Sequence, residues 1–243
     1  MRKLYFIVAS IVFAAFSVNA GAQISVGVGY AHENISTKIS GQTDEAGDSQ
    51  GLDGVYIEAT YEYDILNRKW GVLSLQPGLR FTLAGDSDSE REMGFTMKES
   101  YTETYFDIPV LVKYSYPLGS MKISAFAGPV LSVGMSSVNK FTASGDNYEY
   151  SRTINMYTGK IVIKGDSPDG SYETGLGSDK EGADYGRFDL KLGLGIGTSF
   201  KDRFNVKLGY DIGLLNRYTG EKNDYVKTKI HTGLLYLGVG YTF

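Results

Sequence analysis

The chain of 243 residues has no cysteine. That excludes disulfides, thiolate metal sites, cysteine nucleophiles and lipid attachment through cysteine, so whatever holds the fold together is non-covalent. Histidine occurs twice, as His32 and His231, tryptophan once, as Trp70, and proline five times. Beyond residue 22 no stretch approaches the roughly 18 consecutive apolar residues of a membrane-crossing helix. Positive charge is not in excess either, since 24 basic against 28 acidic residues leave a formal charge of −4. Nucleic acid is therefore not an expected partner, because its phosphates are recognised by clustered Lys and Arg.

What the chain does have is 31 glycines and 19 tyrosines, a composition of extended, turn-punctuated structure rather than of packed helices. Its length suits one all-β unit. Residues 1–22 read as a secretory signal peptide: Arg2 and Lys3 form a basic start, an apolar run extends from Leu4 to Val18, and Ala20-Gly21-Ala22 supplies a small-residue cleavage site, with cleavage after Ala20 as the alternative. The run is too short to span a bilayer as a helix. The mature unit is then expected over residues 23–243.

From Gln23 onward the dominant pattern has period two, which in a strand sends alternate side chains to opposite faces. Eight segments carry it. Their apolar parities hold Ile24 to Tyr30, Val55 to Tyr63, Leu73 to Leu83, Phe106 to Tyr116, Ile123 to Val133, Phe188 to Ile196, Phe204 to Leu214 and Leu235 to Phe243. None of these parities contains a charge. The other parity carries Glu58, Glu62, Glu103, Asp107, Asp189 and Asp211 with Arg80, Lys113, Lys122, Arg187, Lys191 and Lys207, interleaved with glycines. A soluble barrel surface does not need that many glycines, whereas a narrow lumen does, because small residues make room for long charged ones. An uncharged outer parity suits a lipid-facing wall, where a midplane Lys or Arg costs about 2 to 4 kcal/mol.

Connections point the same way. Long polar gaps (38–51, 84–100, 136–185, 216–227) alternate with short ones (65–69, 117–120, 201–203), the pattern of an outer-membrane barrel with long extracellular loops and short periplasmic turns. Both termini then lie on the periplasmic side, and the first and eighth strands close an antiparallel, up-and-down, eight-stranded transmembrane β-barrel. Tyr61, Tyr63, Trp70, Tyr114, Tyr116, Phe200, Phe204, Tyr241 and Phe243 form an expected aromatic girdle at the periplasmic interface. Pro77, Pro109 and Pro129 fall inside strands, where bulges or register breaks are expected. Asn147 to Gly165 reads as a hairpin turned at Thr158-Gly159 and protruding from the long loop at about 136–185; a ten-stranded barrel is the alternative.

The run Tyr105-Phe106-Asp107-Ile108-Pro109-Val110-Leu111-Val112-Lys113-Tyr114, followed by Ala127-Gly128-Pro129, resembles the signature of the PorT-like outer-membrane β-barrel family. Gly209-Tyr210, Leu214-Leu215-Asn216 and Leu237-Gly238-Val239-Gly240-Tyr241-Thr242-Phe243 are similar to that family's last hairpin. The resemblance covers most of residues 23–243 except the long third loop, and implies a barrel in the cell outer membrane, surrounded by outer-membrane lipids. Tyr241 and the terminal Phe243 are similar to the signal that such barrels present to the barrel assembly machinery.

Catalytic chemistry finds little support. His32 and His231 fall on adjacent strands near the extracellular rim and, with Glu33 or Asp224, could suggest a hydrolase or metal site, but no serine sits at matching parity two residues from either and no third ligand is evident. Both read better as interfacial residues. Gly193-Leu194-Gly195-Ile196-Gly197 precedes no helix and is not a phosphate loop. The acidic runs Thr43 to Asp48 and Asp86 to Glu92 read as solvated loop tips. Glu58 and Glu62 point the same way, yet buried ions are tolerable only when paired, so Glu58, Glu62, Arg80, Asp107, Lys113, Lys191, Lys207 and Asp211 are expected to form a salt-bridged lumen plug. The expectation is a non-enzymatic envelope protein without cofactor or metal, acting in envelope structure or through loop contacts with an extracellular or envelope protein partner. A small channel or uptake porin, and an accessory of a secretion machinery by family analogy, are the alternatives.

Overall fold

Alternation of large apolar and small or polar side chains gives the backbone two inequivalent faces, and antiparallel pairing lets it bury one of them by closing on itself. The computed structural model describes residues 23–40, 45–92, 94–145, 148–167, 170–176, 185–220 and 227–243. The expected signal peptide and Asp224 lie outside the described residues, as does part of the acidic run from Thr43. Among the described residues the strands are β1 (Gln23–Ser40), β2 (Glu45–Arg68), β3 (Gly71–Glu92), β4 (Phe95–Leu118), β5 (Met121–Gly145), β6 (Tyr148–Asn155), β7 (Ile161–Ser167), β8 (Gly170–Leu176), β9 (Phe188–Phe200), β10 (Phe204–Gly213) and β11 (Lys227–Thr242).

Eight of these form a closed ring in the order β1-β2-β3-β4-β5-β9-β10-β11, every neighbouring pair antiparallel. The seam between first and last strands is continuous from Ser25 opposite Thr242 to Ser40 opposite Lys227. At the end of the ring that carries both termini the connections are tight. Gly119 takes φ +66°, and Lys201 and Asp202 take φ +52° and +56°, the left-handed conformation that short hairpins need. Lys122 Nζ, just past the β4–β5 turn, holds Asp202 Oδ1 of the β9–β10 turn at 2.8 Å.

The opposite, hairpin end departs from the expected loops. β3 runs on to Glu92 and β4 starts at Phe95, so most of the polar gap 84–100 is paired strand, from Gly85 opposite Thr102 to Glu92 opposite Phe95. Water on both faces removes the need for apolar alternation but leaves the backbone ladder intact, so the polar text hides a strand. β5 likewise continues past the ring; β6 pairs with Val138–Gly145, β7 with β6, and β8 with β7. The hairpin read at Thr158-Gly159 is the β6–β7 turn, with Gly159 at φ +66°, and it gains a third strand.

Prolines do not behave as anticipated. Pairs are skipped around Pro77, Pro109 and Pro129, but the register on either side is unchanged. A missing N–H deletes one bond without changing how many residues face each other. The register shifts lie elsewhere, between Asp64 and Leu66 and between Thr104 and Tyr105.

Outside, the ring presents its apolar parity, with Val55, Ile57, Ile196 and Val239 each more than half exposed. Trp70, Tyr63, Tyr116, Phe200, Phe204 and Phe243 form an exposed aromatic band near the terminal end. Inside, the core is the lumen itself.

Candidate functional site

Four tiers of side chains occupy the lumen. At the terminal end Lys113 Nζ donates to Glu62 Oε2 at 2.8 Å. A polar cavity of about 160 Å³ lies beside this pair, lined among others by Asp64, Asn67, Lys122 and Asp202. One tier further in, Lys207 Nζ donates to Glu58 Oε2 at 2.6 Å and stands 5.3 Å from the Tyr236 ring. The space left there is about 50 Å³.

At the waist Arg80 is 1% exposed and bonds two carboxylates, Asp107 through Nε at 3.1 Å and Asp211 through its second amino group. Lys191 Nζ lies 3.8 Å from Asp107 and 4.3 Å from the Tyr105 ring. The Arg80 guanidinium sits over the Tyr236 ring at 4.4 Å, and Tyr236 meets Tyr56 edge-on at 5.7 Å. Two glycines make this packing feasible. A Cβ on Gly209 would fall 2.3 Å from the Tyr236 hydroxyl, and one on Gly238 only 2.0 Å from that of Tyr56.

The fourth tier closes the hairpin end. Glu103, fully buried, accepts from Tyr157 at 2.6 Å and Arg217 at 2.9 Å through one oxygen, and from Tyr185 at 3.3 Å and Tyr101 at 3.4 Å through the other. Tyr157 and Tyr185 stack at 5.7 Å, with Arg217 at 4.0 Å over Tyr185 and Arg187 at 4.8 Å over Tyr157. Local structure delivers each group. In the β6–β7 turn the Asn155 side chain accepts from the backbone N–H of Tyr157 and Thr158, and Met156 N–H bonds Ser137 O, which aims Tyr157 inward. A Cβ on Gly134 would fall 1.9 Å from the Tyr157 hydroxyl, so glycine there forms its seat. Arg217 is anchored by paired backbone bonds, its N–H to Ile230 O and its O from Gly186 N–H. Burial and the Glu103 carboxylate push the Tyr157 and Tyr185 hydroxyls above their ordinary values, keeping both as donors. Burial works against the Arg217 charge, and Glu103 more than offsets it.

All eight lumen residues singled out in the sequence thus face inward, gathered in three tiers rather than one network. Glu58 and Glu62 each have their own lysine. Glu103 was legible only as a member of the polar parity, and Tyr157, Tyr185 and Arg217 lie in segments with no period to mark them. His32 bonds Asp53 at 2.7 Å, and Tyr30 donates to the same carboxylate, on the outer face. Glu33 cannot join His32 as considered, because it points into the lumen, fully buried, with no hydrogen-bond partner for either oxygen among the described residues. His231 stands opposite Ser36 rather than His32. Asp86 to Glu92 belongs to β3 and is not a loop tip. No group of three or more His, Asp or Glu residues suited to a metal ion occurs among the described residues.

Residues 12–219 match the family model for an outer membrane protein beta-barrel domain. Similar solved structures include the attachment invasion locus protein Ail of Yersinia pestis, at 14% identity over 91% of this chain and 99% of that one with a TM-score of 0.31. Neisserial surface protein A is 14% identical over 92% and 98% of the two chains, TM-score 0.33. The outer membrane enzyme PagL is 12% identical over 90% and 97%, TM-score 0.33. No match was found among curated proteins.

Proposed function

The chain belongs to the outer membrane protein beta-barrel domain family and resides in the outer membrane, and from that premise we propose that it is a non-enzymatic barrel, sealed along its axis, that serves envelope structure or surface contact through its hairpin end. The observation that carries this reading is the Glu103 tier. Four side chains from separate segments converge on one buried carboxylate at the mouth, above a waist already filled by Arg80, Tyr56 and Tyr236. A narrow lumen packed with side chains is a poor conduit.

The eight ring strands are the membrane-spanning set in this reading, and β6 to β8 stand outside the bilayer. Glu149, Ser151 and Thr153 on β6, with Lys164 on β7, share the face that continues the lipid-facing wall, and such residues suit water. The hairpin end is extracellular and the termini periplasmic, as the short turns favour. The motif from Tyr105 to Tyr114 supports placement in the PorT-like branch. Tyr241 and Phe243, in edge contact at 5.2 Å at the end of β11, serve as the assembly signal.

Deleting residues 147–165 tests the division of labour. The shortened protein is expected to insert and to keep heat-modifiable gel mobility while losing surface contacts. Failure to insert would show that this segment belongs to the barrel and not to its exterior.

A further inference from the structure

Above the apolar belt, two opposite seams of the ring carry outward lysines. On the β1–β11 seam the outward rungs run His32 opposite Leu235, Asn34 opposite Gly233, Ser36 opposite His231, Lys38 opposite Lys229 and Ser40 opposite Lys227. On the diametrically placed β4–β5 seam they run Phe106 opposite Val133, Thr104 opposite Ser136, Thr102 opposite Val138, Ser100 opposite Lys140 and Lys98 opposite Thr142. Both walls read alike. The last apolar rung is followed by two rungs of hydroxyl, amide, imidazole or small residues, with Val138 as the one apolar member, and the lysines begin on the third.

On β3 and β4 the lumen-side face carries acids instead. Asp86, Asp88 and Glu90 of β3 stand opposite Tyr101, Glu99 and Met97 of β4, while Arg91 and Lys98 take the membrane-side face. Outward carboxylates include Asp53, engaged by Tyr30 and His32, and Glu149 of β6, opposite Ser144. Six residues of strand at about 3.3 Å each, tilted by about 40°, place the lysine rungs about 15 Å above the apolar edge. That lies beyond the hydrocarbon and its polar interface, at the depth of the saccharides that an outer-leaflet glycolipid carries.

Energetics sharpen the point. Lys38 and Lys229 are directly opposed like charges, an unfavourable cross-strand pair, and neither bonds a carboxylate among the described residues. Lys38, Lys140, Lys227 and Lys229 are all exposed. An anion between them converts repulsion into attraction, and a membrane whose outer surface carries phosphates supplies one at this height.

We propose that Lys38, Lys227 and Lys229 on one wall, and Lys98 and Lys140 on the opposite wall, form a collar that binds phosphorylated glycolipid headgroups of the outer leaflet. The hydroxyl and amide rungs beneath take the sugar, and the lysines take phosphate. The inference rests on the orientation proposed above, with the hairpin end outside.

The test uses the mature protein refolded in uncharged detergent, with labelled lipopolysaccharide as the probe in its phosphorylated form and after chemical dephosphorylation. The unaltered protein is expected to prefer the phosphorylated form by at least about tenfold at low salt, with the preference falling as salt rises. Replacing Lys38, Lys140, Lys227 and Lys229 together by Gln should abolish the preference, and replacing them by Arg should retain it, both variants keeping heat-modifiable mobility. No preference in the unaltered protein, or an undiminished one in the Gln variant, overturns the proposal. Soluble polyphosphate bound as tightly as the glycolipid would overturn the lipid assignment in favour of a soluble polyanion. Purified protein has no orientation, so such failures bear on the collar alone; protease cleavage of the hairpin end on intact cells tests orientation separately.

Discussion

Arg217 donates to Glu103 at 2.9 Å at a depth where their side chains are 3% and 0% exposed. Between charges so far removed from water the loss of one partner costs far more than the pair contributes. Arg217→Met is therefore expected to destabilise the refolded barrel by about 3 to 5 kcal/mol, measured as a fall in the urea midpoint. Adding Glu103→Gln to that variant should recover part of the loss. Additive losses would mean that the two residues act independently.

Tyr157 depends on the absence of a side chain at Gly134. Gly134→Ala is expected to displace the ring, loosening the β6–β7 turn so that a lysine-specific protease cuts at the exposed Lys160. Barrel insertion should be unaffected. A turn as resistant as that of the unaltered protein would show that Tyr157 has room to adjust.

Glu33 lies on β1 between Leu52 and Leu234, all three fully buried, and its carboxylate lacks a hydrogen-bond partner among the described residues. Replacing an unpaired buried acid by an apolar residue removes a desolvation cost. Glu33→Leu should raise stability by about 1 to 3 kcal/mol in urea titrations. A destabilised variant would mean that Glu33 is held by partners such as ordered water.

Phe243 is 79% exposed, so little folded-state packing depends on it. Phe243→Ser is expected to lower the amount of barrel assembled in cells while leaving the urea midpoint of the refolded protein within about 0.5 kcal/mol. Normal assembly in cells would remove the residue from the assembly signal.

The ring was legible because lipid on one side and a crowded lumen on the other impose strict alternation, so Ile24 to Tyr30 or Leu235 to Phe243 announce both strand and face. Legibility ended where those two environments end. Asp86 to Glu92 is strand with water on both sides, and its alternation is of acids, Asp86, Asp88 and Glu90, against Ser87, Ser89 and Arg91, rather than of hydropathy. The lower tiers could be read from parity alone, since Glu58, Lys207, Arg80 and Asp211 sit on strands. The mouth could not, because Tyr157 and Arg217 are brought to Glu103 by an Asn155-capped turn and a backbone bridge, which leave no periodic trace. Pro77, Pro109 and Pro129 misled for a related reason: proline lacks a donor, but its φ is compatible with an extended strand.

Ion conductance of the mature protein in a planar bilayer, recorded after insertion has been verified by heat-modifiable mobility, tests the central claim most directly. The filled waist and the Glu103 tier above it predict silence at every applied potential. Discrete, reproducible openings from the unaltered protein would contradict the sealed lumen and make transport its function.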